Sequence, residues 1–125
     1  MNTPSELKYT KDHEWVKIEG NIATIGITDF AQGELGDIVY VDVDTVDDDL
    51  EGGAVFGSVE AVKTVSDLFL PIAGKVIEFN SDLEETPETL NEDPYGDGWI
   101  IKLEIAEGAD QSELLSAEEY QAIIG

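Results

Sequence analysis

Few kinds of side chain in this 125-residue sequence could do chemistry of their own. Cysteine is absent and His13 is the sole histidine, which excludes disulfides, thiol catalysis, cysteine-based metal sites and two-histidine zinc sites. A Ser–His–Asp triad would need His13, yet the Gly-x-Ser-x-Gly turn that often exposes such a serine does not occur. The glycine-rich phosphate loops are missing as well. We therefore predict no catalytic residues, and we interpret His13 as structural.

Carboxylates dominate the sequence. There are 29 Asp and Glu against 6 lysines, a formal net charge of −23. No basic patch can be assembled, so we predict binding neither to nucleic acid nor to an anionic membrane. The acidic run from Asp42 has Val46 and Asp47 where a calcium loop needs an oxygen ligand and glycine, so no metal site is predicted. The charge favours steering toward basic partners, although a saline habitat or a bias toward solubility would explain it equally well.

Lys63 differs from the other lysines because its neighbours are small, β-branched and apolar. If residues 59–66 formed one continuous strand, each of its faces would carry both polar and apolar side chains. A tight turn near Val62 and Lys63 therefore fits the pattern better. Such a turn would put the lysine amine at the tip of a hairpin. By itself this pattern indicates an exposed lysine and identifies no cofactor.

Short β-segments separated by turn residues surround this hairpin. The predicted strands cover residues 14–18, 22–27, 37–43, 55–59, 62–70, 75–79 and 99–105. One short helix is predicted from Phe30 to Leu35, with an N-cap at Thr28 or Asp29 and a stop at Gly36. The pattern indicates a mainly β protein.

The remaining segments are polar loops and a C-terminal helix. Residues 42–51 read as an acidic stretch leading into a solvated turn, and residues 80–94 as a loop with a short helix around Pro87 to Leu90. Ser116 and Glu119 form a capping box that predicts a helix over 117–124. We expect one domain over residues 1–125, with a core of about 7–106 and a helical extension of about 110–125. The first six residues resemble neither a signal nor a transit peptide, so a cytoplasmic protein is expected.

The segment from Gly57 to Asp67, Gly-Ser-Val-Glu-Ala-Val-Lys-Thr-Val-Ser-Asp, resembles the lipoylation segment of glycine cleavage H proteins. Further segments match that family in the same order, over residues 9–16, 26–32, 35–41, 71–77 and 91–100. The resemblance covers roughly Leu7 to Tyr120, and several long motifs in order are far more specific than one. Val43-Asp44 replaces the usual Leu-Pro, and residues 47–49 are unusually acidic; both departures concern a loop and not the lysine.

The resemblance implies a barrel-sandwich hybrid of the lipoyl/biotinyl type. This fold has two small antiparallel sheets, a short internal helix and a C-terminal helix, with Lys63 on an exposed hairpin. It also implies lipoic acid in amide linkage to the Lys63 side chain. The chain would then be a non-catalytic carrier, because the dithiolane supplies the sulfur chemistry that a cysteine-free chain lacks. We expect a monomer.

The partners implied by the resemblance are three enzymes and a lipoylating enzyme. Glycine decarboxylase (P protein) loads the lipoyl arm with an aminomethyl group, aminomethyltransferase (T protein) unloads it, and dihydrolipoamide dehydrogenase (L protein) reoxidises it. Glu14 and Asp67 match positions near the cleft that holds the loaded arm, and Glu60 matches a position read by the lipoylating enzyme. Each of these three acids could equally be an ordinary surface residue.

The sequence leaves three alternatives open. Another swinging-arm carrier is one, but biotinyl domains usually flank the lysine with methionines, and 2-oxoacid dehydrogenase domains typically have Asp-Lys-Ala where this chain has Val62-Lys63-Thr64. The second is a lipoyl-relay protein that donates lipoate to other enzymes. The third is an unmodified acidic binding module.

Overall fold

The computed structural model describes residues 3–124, and within them nine strands and four helices make up the fold. The strands are β1 (Lys8–Tyr9), β2 (Glu14–Glu19), β3 (Ile22–Ile27), β4 (Ile38–Asp42), β5 (Asp49–Leu50), β6 (Val55–Ala61), β7 (Val65–Phe69), β8 (Gly74–Phe79) and β9 (Ile101–Ile105). The helices are α1 (Asp29–Leu35), α2 (Asp82–Glu85), α3 (Thr89–Glu92) and α4 (Ala117–Ile124). The predicted domain limits at residues 1 and 125, and the first two residues of the N-terminal segment, lie outside the described residues.

The strands form two antiparallel sheets. The larger has the order β1-β2-β3-β9-β8-β5 and the smaller the order β4-β6-β7. Their apolar inner faces meet in the main core, to which the larger sheet contributes Val16 and Ile25, a directly paired couple, and the smaller contributes Val59 and Leu68. This confirms the predicted mainly β fold class with two antiparallel sheets. The physical reason is that apolar residues, many of them β-branched, alternate with polar ones along the strands and point toward the core.

A second, smaller cluster packs the C-terminal helix against the larger sheet. Leu7, Tyr9, Trp15 and Tyr120 form its buried part, and the rings of Tyr9 and Tyr120 stack with centroids 4.8 Å apart. Trp15 fits there because Gly26 lies opposite it in β3; a Cβ on that glycine would be 2.6 Å from the indole nitrogen. Strand β2 therefore begins with residues that are buried on both faces.

The predicted strand over 22–27 and the predicted helix over 117–124 are confirmed. Both hydrogen bonds of the capping box form: the Ser116 amide donates to the Glu119 carboxylate, and the Glu119 amide donates to the Ser116 hydroxyl. Residues 80–94 contain two short helices where we predicted one, and the helix predicted at Pro87 to Leu90 begins at Thr89. Each of these helices buries a single leucine, Leu83 or Leu90, so neither has a periodic pattern to detect.

Two further predictions differ from the structure in part. The acidic stretch over 42–51, for which no strand was predicted, contains β5, which pairs with β8 at the edge of the larger sheet. The solvated turn predicted to follow it is present at Gly52 and Gly53. The strand predicted over 99–105 begins at Ile101, because the Trp99 amide donates to the Gly96 carbonyl and so closes the preceding turn. The Ile100 amide already donates to the Ile25 carbonyl of β3. No helix within residues 3–124 is long and apolar enough to cross a membrane.

Candidate functional site

Lys63 lies at the tip of the hairpin that joins β6 to β7, as the sequence predicts. Glu60 pairs with Val65, and the Ala61 amide donates to the Thr64 carbonyl at 2.7 Å, which leaves Val62 and Lys63 as the two loop residues. Lys63 is exposed, and the Val62 side chain before it is 76% exposed. The predicted strand over 62–70 is therefore shortened to Val65–Phe69, because its first residues form this turn.

The tip of the hairpin rests on the segment that connects α1 to β4. The Val62 amide donates to the Asp37 carbonyl at 3.0 Å. The side chain of Asn91 holds both neighbours of Asp37: its Oδ1 accepts from the Ile38 amide at 2.9 Å, and its Nδ2 donates to the Gly36 carbonyl at 2.8 Å. Asn91 thus braces the support of the lysine hairpin from α3. Sequence reasoning assigned no role to Asn91, which it noted only as part of the 91–100 segment.

Helix α1 brings a second contact to the lysine. Thr28 caps its N-terminus by accepting from the Ala31 amide at 3.1 Å, and the chain leaves the helix at Gly36 with a φ of 79°, a conformation that favours glycine. A Cβ on Gly36 would lie 3.7 Å from Cε of Lys63. The aliphatic part of the lysine therefore lies close to the C-terminal end of α1.

A cleft of about 330 Å³ lies between α1 and β7. It has an apolar lining with carboxylates among it, and its lining residues are Asp12, His13, Glu14, Ile27, Phe30, Ala31, Glu34, Leu35, Val59, Ser66, Asp67 and Leu68. Both walls lead to the hairpin, since α1 ends beside Lys63 and β7 starts two residues after it. Such a cleft suits an elongated apolar chain that carries a positive charge.

Glu14 is the buried carboxylate of this cleft, with 2% of its surface exposed. Its Oε2 accepts from the Phe69 amide at 2.7 Å, and the Thr10 hydroxyl lies 3.5 Å from its Oε1. Burial outweighs these hydrogen bonds and raises the pKa of Glu14 to about 8. The interpretation of Glu14 as an ordinary surface acid is therefore wrong. Asp67 borders the same cleft, while its side chain lies on an exposed position of β7.

Glu60 lies apart from this cleft. It is exposed on the outer face of the smaller sheet, paired with Tyr40 on β4 and with Val65 on β7. The structure thus brings together only two of the three acids that the sequence singled out, Glu14 and Asp67, at one site.

The C-terminal helix reaches the cleft through His13. The Tyr120 hydroxyl is 2.9 Å from Nδ1 of His13 and 2.8 Å from Oγ1 of Thr28, which is the N-cap of α1. Burial lowers the pKa of His13, and its backbone has a φ of 67°. His13 is a structural residue that links α4 to a wall of the cleft. Within residues 3–124 no three acidic or histidine side chains converge as metal ligands would.

The fold and the hairpin lysine together define a barrel-sandwich hybrid of the lipoyl/biotinyl class. A family model described as "Glycine cleavage H-protein" matches residues 7–125. The chain therefore belongs to the glycine cleavage H-protein family. This membership removes the biotinyl and 2-oxoacid dehydrogenase alternatives.

Individual relatives agree over the whole length. The glycine cleavage system H protein of Staphylococcus saprophyticus is 57% identical over 125 residues, which are 100% of this chain and 99% of that protein. The one from Bacteroides fragilis is 56% identical over 124 residues, 99% of this chain and 98% of that protein. The crystal structure of the Mycobacterium marinum glycine cleavage system H protein has a TM-score of 0.88 at 37% identity, and the match covers 96% of this chain and 97% of that one.

Proposed function

We propose that this chain is the lipoyl carrier of the glycine cleavage system, with lipoate in amide linkage to Lys63. The observation that carries the proposal is the exposed lysine at the tip of a braced hairpin, beside an apolar cleft, in a member of the H-protein family. When bound, the dithiolane supplies the redox and group-carrying chemistry for which this chain, having no cysteine, has no thiol.

The cleft fits a hydrocarbon arm that leaves from Lys63. Acylation removes the positive charge of the lysine amine, so the arm can lie against apolar side chains with little loss of hydration. Phe30, Leu35 and Leu68 offer such a surface. Leu35 lines the cleft, and the next residue, Gly36, lies beside the Cε of Lys63, so the arm leaves the lysine close to the cleft.

The acids of the cleft are suited to hold the amine that an aminomethyl-loaded arm presents. Glu14 would accept a charge-assisted hydrogen bond in the interior of the cleft, and Asp67 would do so at its edge. A cation beside Glu14 opposes the effect of burial and lowers its pKa from about 8, so docking of the amine is coupled to release of the Glu14 proton.

The chain itself acts as a carrier and not as a catalyst in this proposal. It forms one domain over residues 1–125 and works as a cytoplasmic monomer. The carrier passes the aminomethyl group from the P protein to the T protein and is reoxidised by the L protein. A lipoylating enzyme must act first, and Glu60, exposed three residues before Lys63, is placed for recognition by that enzyme.

The test is lipoylation of the intact protein. Coexpression with a lipoylating pathway should add the mass of one lipoyl amide, on the peptide that contains Lys63. Lys63→Arg should stay unmodified, whereas Lys17→Arg, which changes an exposed lysine within a strand, should be modified as the wild type is. Lys63→Ala should also abolish glycine-dependent turnover with the P, T and L proteins at an unchanged unfolding midpoint. An unmodified wild type, or lipoate on another lysine, would contradict the proposal.

A further inference from the structure

Exposed apolar side chains gather around Lys63. Of the large apolar residues that are exposed in the described chain, Val39, Tyr40, Val62 and Val65 lie at this end of the smaller sheet, with exposed fractions of 46%, 50%, 76% and 63%. Proteins that remain monomeric rarely group such side chains on one surface unless it binds something.

The strand register places two of these residues, Tyr40 and Val65, on one face, and Val39 and Val62 are their neighbours in β4 and in the turn. Tyr40 pairs with Glu60, and Glu60 pairs with Val65, so the three side chains form a row across β4, β6 and β7. A bulge in β4 shifts the register between Ile38 and Tyr40. Because of it, Val39 and Tyr40 are both exposed, whereas regular alternation would bury one of them. We call Val39, Tyr40, Glu60, Val62 and Val65 the tip surface.

The cluster of exposed apolar side chains ends one row away from Lys63, and Val55 is a single exposed valine at the far end of the hairpin. The next row on the same face is Asp42, Ser58 and Asp67, which is polar throughout. An outer sheet face that merely meets water would be polar along its whole length. The change from one row to the next therefore marks the end near the lysine as a contact surface.

The reach of the lysine identifies the partner that needs this contact. The Nζ atom lies at most roughly 6 Å from Cα, five bonds of about 1.5 Å in a zigzag, so an enzyme that acylates it must cover the residues around the tip. Attachment of lipoate roughly doubles that reach. Enzymes that act on the far end of the arm can therefore work without touching the tip surface.

We propose that the tip surface is the docking site of the lipoylating enzyme and is not used by the enzymes that act on the loaded arm. This rests on the proposed lipoylation of Lys63. In the bound complex the lysine amine displaces the leaving group from the carbonyl of an activated acyl donor, gains the amide bond and loses a proton. The apolar residues of the tip surface match an apolar surface on the partner. Because Glu60 lies in the middle of the row and the net charge is −23, Lys or Arg should surround that partner surface.

The experiment separates acylation from later turnover. In Tyr40→Thr/Val65→Thr, threonine keeps the β-branched shape of Val65, and at Tyr40 it is another residue that strands favour; both changes remove the apolar contact. The kcat/KM of lipoylation by a lipoylating enzyme should fall by about tenfold or more, through KM, as expected for lost interface anchors. The same variant, lipoylated to completion as verified by mass, should support glycine turnover at the wild-type rate. Val55→Thr changes an exposed valine at the far end of the same hairpin and should alter neither rate.

Three other results would contradict the proposed docking site, and each would point to a different explanation of the tip surface. Unchanged lipoylation kinetics in a double variant that folds normally would remove the tip surface from recognition. Equal losses in lipoylation and in turnover of the loaded protein would assign it to the P, T or L protein. A wild-type mass that doubles with concentration, and no longer does so in the variant, would assign it to a second copy of the chain. By contrast, a wild type that is never lipoylated would refute the proposed function itself.

Discussion

Replacing Glu14 with glutamine should make the stability of this protein less sensitive to pH. The pKa of Glu14 is raised from 4.5 to about 8 because the carboxyl group is buried. Below pH 4.5 the group is protonated in both the folded and the unfolded state. Between pH 4.5 and 8 the unfolded chain releases this proton while the folded chain retains it, so the free energy of unfolding falls as the pH rises. Glutamine cannot titrate and removes this loss.

The size of the effect follows from the shift. A difference of about 3.5 pKa units, at about 1.36 kcal/mol each, gives about 4 to 5 kcal/mol as an upper value. Glutamine keeps an oxygen that can accept from the Phe69 amide, as Oε2 of Glu14 does at 2.7 Å. Glu14→Gln should therefore match the wild type near pH 4.5 and exceed it by several kcal/mol near pH 9.

Urea unfolding of both proteins at pH 4.5, 6, 7.5 and 9 would measure this difference, with the fluorescence of Trp15 and Trp99 as the signal. Repulsion among the other carboxylates changes both proteins alike and cancels in the difference. Glu60→Gln, which alters an exposed acid, is the control and should show a small difference. A Glu14→Gln difference that stays constant between pH 4.5 and 9 would refute the assigned burial effect.

Three further substitutions test the frame around the site. Asn91→Ala removes three hydrogen bonds and should lower the free energy of unfolding by about 2 to 3 kcal/mol, which urea unfolding would measure. Hydrogen exchange should also show that the Val62 amide is less protected in this variant. Tyr120→Phe removes two contacts made by the hydroxyl and should cost about 1 to 2 kcal/mol in the same assay. Gly26→Ala would place a Cβ 2.6 Å from the Trp15 indole and should cost about 1 to 3 kcal/mol, with a changed near-UV spectrum.

The chain offers matched controls for two of these substitutions. Gly33→Ala lies in α1 with no atom within 4 Å of the added Cβ, so it should stabilise the protein by about 0.5 to 1 kcal/mol, opposite in sign to Gly26→Ala. Asn21→Ala changes an exposed asparagine in the turn after β2 and should have little effect. A loss at Asn21 as large as that at Asn91 would contradict the bracing role of Asn91. Full retention of stability in Tyr120→Phe would show that ring stacking alone holds α4.

The elements that the sequence predicts well depend on neighbouring residues. Thr28 and the Ser116–Glu119 pair cap their helices through bonds that span three residues, and Gly36 ends α1 by its own backbone preference. The missed elements depend on distant partners. Strand β5 exists because β8 pairs with it, and the bulge in β4 becomes visible only against β6. The alternation of polar and apolar residues along one segment does not show which strand it will pair with or where the register will shift.

The same distinction applies to the site. The turn at Lys63 follows from its local sequence, but the link to lipoate came from the resemblance of segments spread over most of the chain. Glu14 is buried and accepts from the Phe69 amide, 55 residues away, which is why an acid between His13 and Trp15 also fitted a surface position. The Asn91 brace spans 53 residues to Ile38. Contacts over such separations are properties of the folded chain.

The instability at Glu14 is itself informative about the cleft. A leucine or glutamine at this buried position would avoid the loss of stability that an ionisable group brings above pH 4.5, and many mutations that improve stability in this way are available to proteins. A carboxylate there gains from burial only when a cation enters the cleft, because the low polarity that raises its pKa also strengthens its attraction to that cation. In the proposed carrier cycle the aminomethyl-loaded arm brings such a charge. Strong retention of the loaded arm and reduced stability of the unloaded protein would then have the same physical origin.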